Sequence, residues 1–217
     1  MRLLAITDLH AEEEALEKVS LKLASERFDA VVLLGDITHN GPISFVEDAI
    51  AKFAATGAKV FAVMGNMDPP EVLDVLEREG ASVHAKKVPL GEGWHIAGFG
   101  GCPAKGAHTP TEFSEDEIYA NLKKLGIDNK TIVATHFPPT GISDFDLTYR
   151  GIPIGSDGLR KLIEEDHPAA VLCGHVHERE GIERFDGTLV VKVAPAYERR
   201  AAVIEIGKDI KATLVDL

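Results

Sequence analysis

Val31-Val32-Leu33-Leu34-Gly35-Asp36-Ile37-Thr38-His39-Asn40-Gly41 is the stretch that decides the fold. It opens as an aliphatic run without polar alternation, the pattern of a strand buried on both faces. It stops at Gly35 and delivers one carboxylate, Asp36, into a polar loop closed by Gly41. The carboxyl end of a buried parallel strand is where open α/β sheets place their ligands. A lone Gly-Asp pair is ordinary turn chemistry, so the weight comes from repetition along the chain.

Four more apolar runs end the same way. Leu3 to Thr7 runs into Asp8-Leu9-His10, and Lys59 to Met64 into Gly65-Asn66-Met67-Asp68. Thr131 to Thr135 runs into His136-Phe137-Pro138-Pro139, and Ala169 to Cys173 into Gly174-His175-Val176-His177. Each strand thus brings an Asp, Asn or His to what reads as one edge of one sheet. A hydrophobic core needs none of these residues there.

The regions between the runs read as helices. Ala15, Leu16, Val19 and Leu23 form one stripe over 12–24, with Glu12-Glu13-Glu14 in the first turn, where the helix dipole favours negative charge. A second helix reaches about Ala55 and is closed by Gly57. Asp68-Pro69-Pro70-Glu71 has the spacing of an N-cap followed by proline at the first helical position, which gives Asp68 a structural role. Ser114 and Glu117 have capping-box spacing, and Ser156 caps a helix carrying Leu159, Leu162 and Ile163. The glycines of Gly91-Glu92-Gly93 and Gly98 to Gly101 do not open a helix after a strand, so they read as turns rather than a nucleotide fingerprint. Residues 137–155 form a long Pro-, Gly- and Asp-rich segment of the sort used as a lid or binding loop. After His177 the pattern is meandering strands. The expectation is one domain over 1–217, with two packed sheets and helices outside.

The 217 residues are 45% hydrophobic and 27% charged, ample for a full core, with a formal net charge of −12. No cluster of Lys and Arg offsets that charge, which argues against gripping duplex nucleic acid or an anionic membrane. An anionic substrate remains compatible, because bound cations reverse the local field. Cys102 and Cys173 have no paired-ligand spacing and read as reduced thiols. No signal-peptide pattern or bilayer-length apolar run is present, so the expected location is the cytoplasm. Homo-oligomerisation is left open.

Asp8, His10, Asp36, Asn66, His136, His175 and His177 exceed what one tetrahedral ion needs. They suit two divalent ions sharing a bridging carboxylate. Without thiolates the choice falls on Mn first, with Fe, Zn or Ni as alternatives. Two dications against two carboxylates leave a surplus of positive charge for an activated hydroxide and a phosphate oxygen. Such pairs act as a clamp for in-line displacement at phosphorus.

These motifs, in this order, resemble those of the calcineurin-like metallophosphoesterases. The short length, Gly35 to Gly41 and His136 to Pro139 are similar to the small prokaryotic phosphoesterases related to the Icc cyclic-nucleotide phosphodiesterase. The resemblance implies a four-layer αββα sandwich. It assigns Asp8, His10 and His177 to one metal, Asn66, His136 and His175 to the other, and Asp36 as the bridge. Family phosphomonoesterases usually carry a proton-donating His where this chain has Met67. The expectation is therefore a phosphoesterase for small phosphodiesters or activated aryl phosphates, with His39 as the substitute catalytic acid or phosphate contact. A monoesterase, a cyclic-nucleotide phosphodiesterase and a metal-binding interaction scaffold are the alternatives. Arg150 is a further phosphate-contact candidate. His84, His95, His108 and His167 fall outside the motifs.

Overall fold

A computed structural model describes residues 1–106 and 108–217. The first third alternates β1 (Arg2–Ile6), α1 (Glu13–Ser25), β2 (Ala30–Leu34), α2 (Ile43–Ala54), β3 (Lys59–Val63) and α3 (Glu71–Arg78). There follow β4 (Lys86–Gly91), β5 (Trp94–Phe99), the short pair β6 (Cys102–Pro103) and β7 (Glu112–Phe113), α4 (Glu115–Lys123), β8 (Thr131–Thr135), α5 (Asp157–Asp166) and β9 (Ala170–Cys173). The tail holds β10 (Gly181–Phe185), β11 (Thr188–Lys192), a 3-10 turn at Ala196–Glu198, β12 (Arg200–Ile206) and β13 (Ile210–Asp216).

Two large mixed sheets result, ordered β13-β12-β1-β2-β3 and β10-β11-β9-β8-β5-β4. β1, β2 and β3 pair in parallel, as do β5, β8, β9 and β11. Antiparallel strands close the flanks: β12 and β13 on the first sheet, β4 and β10 on the second.

The unbroken apolar runs follow from burial on both faces. Leu3, Ala5, Val32, Leu34 and Val63 point between the sheets, against Ile132, Ala134, Leu172 and Val191. Their alternates Leu4, Ile6, Val31 and Leu33 meet Leu16 and Val19 of α1, Val46 and Phe53 of α2, and Val72 and Leu76 of α3. On the far side Val133, Val171 and Val190 meet Ile118 and Leu122 of α4 and Leu159 and Leu162 of α5. The order of layers is helix, sheet, sheet, helix, as expected.

Two helix starts agree with the sequence. Ser114 and Glu117 form a complete capping box on α4, and the Ser156 side chain accepts the Leu159 N–H on α5. The third differs. α3 begins at Glu71 with no side-chain cap, and its first amides, Val72 and Leu73, donate to the carbonyls of Pro69 and Pro70. Asp68 is turned inward instead, for the reason given below.

Residues 137–155 also differ from a free lid. Phe137, Ile142 and Phe145 are buried in the outer core of the second sheet, and Thr140 N and Ser156 N bond across the segment's ends to Ser156 O and Pro138 O. Its exposed large apolar side chains, Tyr149 and Ile152, are at the tip. Among the described residues no helix is long and apolar enough to cross a membrane.

Candidate metal centre

The seven candidate ligands sit just past β1, β2, β3, β8 and β9. These strands belong to two sheets rather than one, so the single-sheet edge inferred from sequence is corrected: the carboxyl ends of both sheets converge. Backbone bonds tie the loops together. Asp8 N, His10 N and Ala11 N donate to Gly35 O, Asp36 O and Ile37 O, each at 3.0 Å, and Gly174 N donates to His136 O at 2.8 Å.

The local backbone is strained where the candidate ligands are. Asp8, His10, Asp36 and His175 have φ of 55°, 50°, 47° and 71°. Such left-handed positions cost about 1–3 kcal/mol each for non-glycine residues and persist only when the surroundings hold them. Close approach sets the glycines. A Cβ on Gly65 would lie 2.0 Å from Asp36 Oδ1, and one on Gly174 would lie 2.0 Å from Thr7 Oγ1.

Two groups of ligand atoms form. Asp8, His10 and His177 bring one ligand atom each within 4.8 Å of one another, as do Asp8, Asp36 and His136. His177 Nε2 is 3.1 Å and His10 Nε2 3.4 Å from Asp8 Oδ1. His136 Nε2 is 3.3 Å from Asp36 Oδ2, 2.9 Å from Asn66 Oδ1 and 3.2 Å from His175 Nδ1. All seven sequence candidates are therefore brought together.

The electrostatics favour positive charge. Burial works against ionisation of Asp8, yet hydrogen bonds with His10 and His177 hold its carboxyl well below the usual carboxylate range. Burial also opposes a charged His136, but the facing Asp36 carboxylate, with help from Asp8, pushes that imidazole up to about 9. Asp8, Asp36 and His136 are all buried, and no Lys or Arg is among the described residues lining the cleft above them. Two carboxylates and an amide oxygen with imidazole nitrogens at this spacing, short of cations, fit divalent ions of the first transition row.

The cleft has a volume of about 450 Å³ and is lined by His10, Glu12, Asp36, His39, Asn66, Met67, His175, His177 and Tyr197. His39 Nδ1 stands 3.3 Å from His10 Nδ1, so the sequence candidate for a donor is at the site. Arg150 is not: its guanidinium lies over the Tyr149 ring, and it does not line the cleft. His84 accepts the Gly100 N–H and stacks on Phe99, a structural role.

Sequence reasoning gave Asp68 the wrong task and missed three supporting residues. Asp68 Oδ1 accepts from Thr38 N (2.7 Å) and Thr38 Oγ1 (2.9 Å), while Oδ2 accepts from Gly65 N (2.8 Å) and Ile37 N (3.1 Å). It clamps the Asp36 loop to the Asn66 loop, and burial followed by the nearby Asp36 charge raises its carboxyl to about 6. Thr7 Oγ1 donates to Asp8 Oδ2 at 2.6 Å. The fully buried Lys192 donates to the carbonyls of Val176 and Val193, steadying the His175–His177 loop. A lysine inside the apolar run Leu189 to Val193 was the available signal. Tyr197 Oη lies 2.8 Å from His177 Nδ1, and nothing local in the sequence marked it.

With this geometry in view, comparison with known proteins is decisive. The family model described as calcineurin-like phosphoesterase matches residues 1–179. The chain belongs to that family. An uncharacterized protein of Methanocaldococcus jannaschii is 32% identical over 202 residues, 90% of this chain and 88% of that one. Among solved structures, a Thermus thermophilus protein superposes with a TM-score of 0.75 at 19% identity, covering 98% of this chain and 97% of its own. A dimetal phosphatase from Danio rerio superposes with a TM-score of 0.68 at 13% identity, covering 100% and 98%. The structural likenesses establish the fold. The family implies a dinuclear divalent metal centre and metal-dependent phosphoester hydrolysis, and the clustered donors supply candidate ligands for it.

Proposed function

We propose that this calcineurin-like phosphoesterase hydrolyses small phosphodiesters or activated aryl phosphates, with Mn²⁺ as the preferred ion. Asp8, His10 and His177 would hold one ion, Asn66, His136 and His175 the other, and Asp36 would bridge them. When bound, the ions supply the positive charge that stabilises the oxygens entering and leaving at phosphorus. The protein's own residues then decide which leaving groups are tolerated.

The observation that carries the substrate preference is Met67. It lines the cleft, and its backbone N–H donates to Asp36 Oδ1 at 2.7 Å, so the main chain of this position orients the bridge. Its thioether has no proton to give to a departing alkoxide. His39 offers the other ring nitrogen, since Nδ1 faces His10. It is exposed on the Asp36 loop, one residue after Thr38, which Asp68 holds.

Leaving-group dependence tests this reading. General acid catalysis contributes roughly 10²–10⁴-fold, so without it rates should fall steeply as leaving-group pKa rises. Met67→His is expected to improve alkyl esters far more than p-nitrophenyl esters, and His39→Ala to worsen alkyl esters selectively. Equal slopes for wild type and both variants would show that neither position governs proton supply.

A further inference from the structure

Two cleft-lining groups, Glu12 and Tyr197, have no role in that account, and Tyr197 is the one bonded to a candidate ligand. Tyr197 sits on the turn Ala196–Glu198 between β11 and β12, with Pro195 before it and Arg199 in a left-handed conformation after it. The turn is fastened to the end of β1: Ala196 N donates to Thr7 O at 2.8 Å, one residue before Asp8. The partly buried Tyr197 ring packs on the first sheet's outer core. It stands 5.6 Å from the His10 ring and 5.7 Å from the His177 ring, centroid to centroid. Its position is thus set by the scaffold, whereas His39 is carried on an exposed loop.

The hydrogen-bond direction follows from the imidazole. His177 Nε2 belongs to the trio with Asp8 and His10, and its Nδ1 faces Tyr197 Oη at 2.8 Å. A neutral imidazole that gives its Nε2 lone pair to a cation carries its one hydrogen on Nδ1. That hydrogen goes to Tyr197 Oη, which must accept it. A phenol that accepts through its lone pair keeps its own hydrogen for another acceptor, and Tyr197 Oη has no second partner among the described residues. The cleft it lines is the space in which phosphoester oxygens would lie.

We propose that Tyr197 is a substrate-binding residue, whose hydroxyl accepts the Nδ1 hydrogen of His177 and donates its own to a non-bridging oxygen of the bound phosphoester. The inference rests on the metal-dependent reading above and adds a phosphoryl-binding contact to it. No covalent bond changes at Tyr197. The contact is to an oxygen present in both diesters and monoesters, so it strengthens phosphoryl binding without replacing the proton that Met67 cannot give. Without a cation the same contact runs in reverse, Tyr197 donating to Nδ1 and Nε2–H donating to Asp8. Metal loading therefore releases the hydroxyl for substrate.

Calorimetry with inorganic phosphate as the probe tests this on wild type and Tyr197→Phe, both at full Mn²⁺ occupancy verified by metal analysis. The phenyl ring keeps its packing, so the fold should be retained with a similar melting temperature. The expected result is a phosphate Kd raised about tenfold in Tyr197→Phe, the loss of one hydrogen bond to a charged oxygen. Mn²⁺ affinity should fall by about tenfold, because Nδ1–H loses its acceptor. If phosphate Kd at full occupancy stays within twofold of wild type while Mn²⁺ affinity falls, Tyr197 only positions His177 and the proposal is overturned. If wild type itself takes up neither ion, the underlying metal reading fails first, and Tyr197 falls with it.

Discussion

Gly65→Ala concentrates the logic of the site in one methyl group. The added Cβ would lie 2.0 Å from Asp36 Oδ1 and 2.2 Å from Asp36 N, where ordinary contact begins at 3.4 Å, so Asp36 must retreat by more than an ångström. It cannot do so freely. Its backbone is held at φ 47°, its carboxylate accepts from Met67 N, and Asp68 pins Ile37 and Thr38 immediately after it. Overpacking of this sort costs about 1–3 kcal/mol, which for a chain of this size lowers Tm by roughly 2–12 °C. The functional cost should be larger, since a misplacement of about 1 Å at a reacting centre is worth on the order of 10²-fold in rate. The assay is Mn²⁺ affinity by calorimetry and turnover of bis-p-nitrophenyl phosphate, alongside a thermal melt. Gly57→Ala is the control. Its φ is +88° with nothing within 4 Å of an added Cβ, so it should lose about 1–2 kcal/mol of stability to the left-handed backbone and keep metal binding and turnover. If Gly65→Ala retains wild-type Mn²⁺ affinity and turnover, Asp36 is not held in the catalytic position by this contact.

Two further outcomes follow from the same geometry. Asp36→Asn removes negative charge from the position that would serve both ions, with nearly unchanged shape. It should weaken Mn²⁺ binding and abolish most turnover while the melt stays cooperative, and full activity with two ions bound would refute the bridge. The second concerns pH. The His136 imidazole is raised from 6.5 to about 9 by its carboxylate neighbours, so in chelator-treated protein its share of stability is complete below pH 6.5 and lost as pH rises through 9. That share is about 3 kcal/mol at 1.36 kcal/mol per pH unit. Because an ion at Nε2 must displace that proton, Mn²⁺ affinity should rise with pH up to about 9. A flat affinity profile between pH 6.5 and 9, read by calorimetry, would show that His136 is not a ligand.

Much of this protein is legible in the order of its residues. Strands such as Val31 to Leu34 announce burial on both faces, because a residue's period and polarity report its immediate surroundings. The polar residue that ends each strand announces the site, because a strand's carboxyl end is fixed by local chemistry. What the sequence could not say is which of those ends meet. His177 and Asp8 are separated by 169 residues and His136 and Asn66 by 70, and only the packing of two sheets brings their side chains within 3.1 and 2.9 Å. The same limit misdirected Asp68. Its spacing fits a helix cap, but the four donors around it come from two segments of the chain, Ile37-Thr38 and Gly65, and burial among them outweighs the local preference. Tyr197 is the extreme case: an unremarkable tyrosine in a tail of strands, given its place by the bond from Ala196 to Thr7 and its chemistry by His177. Local pattern determined which residues could act. Long-range packing decided which of them share one small volume, because an imidazole or hydroxyl acquires a role only through the atom opposite it.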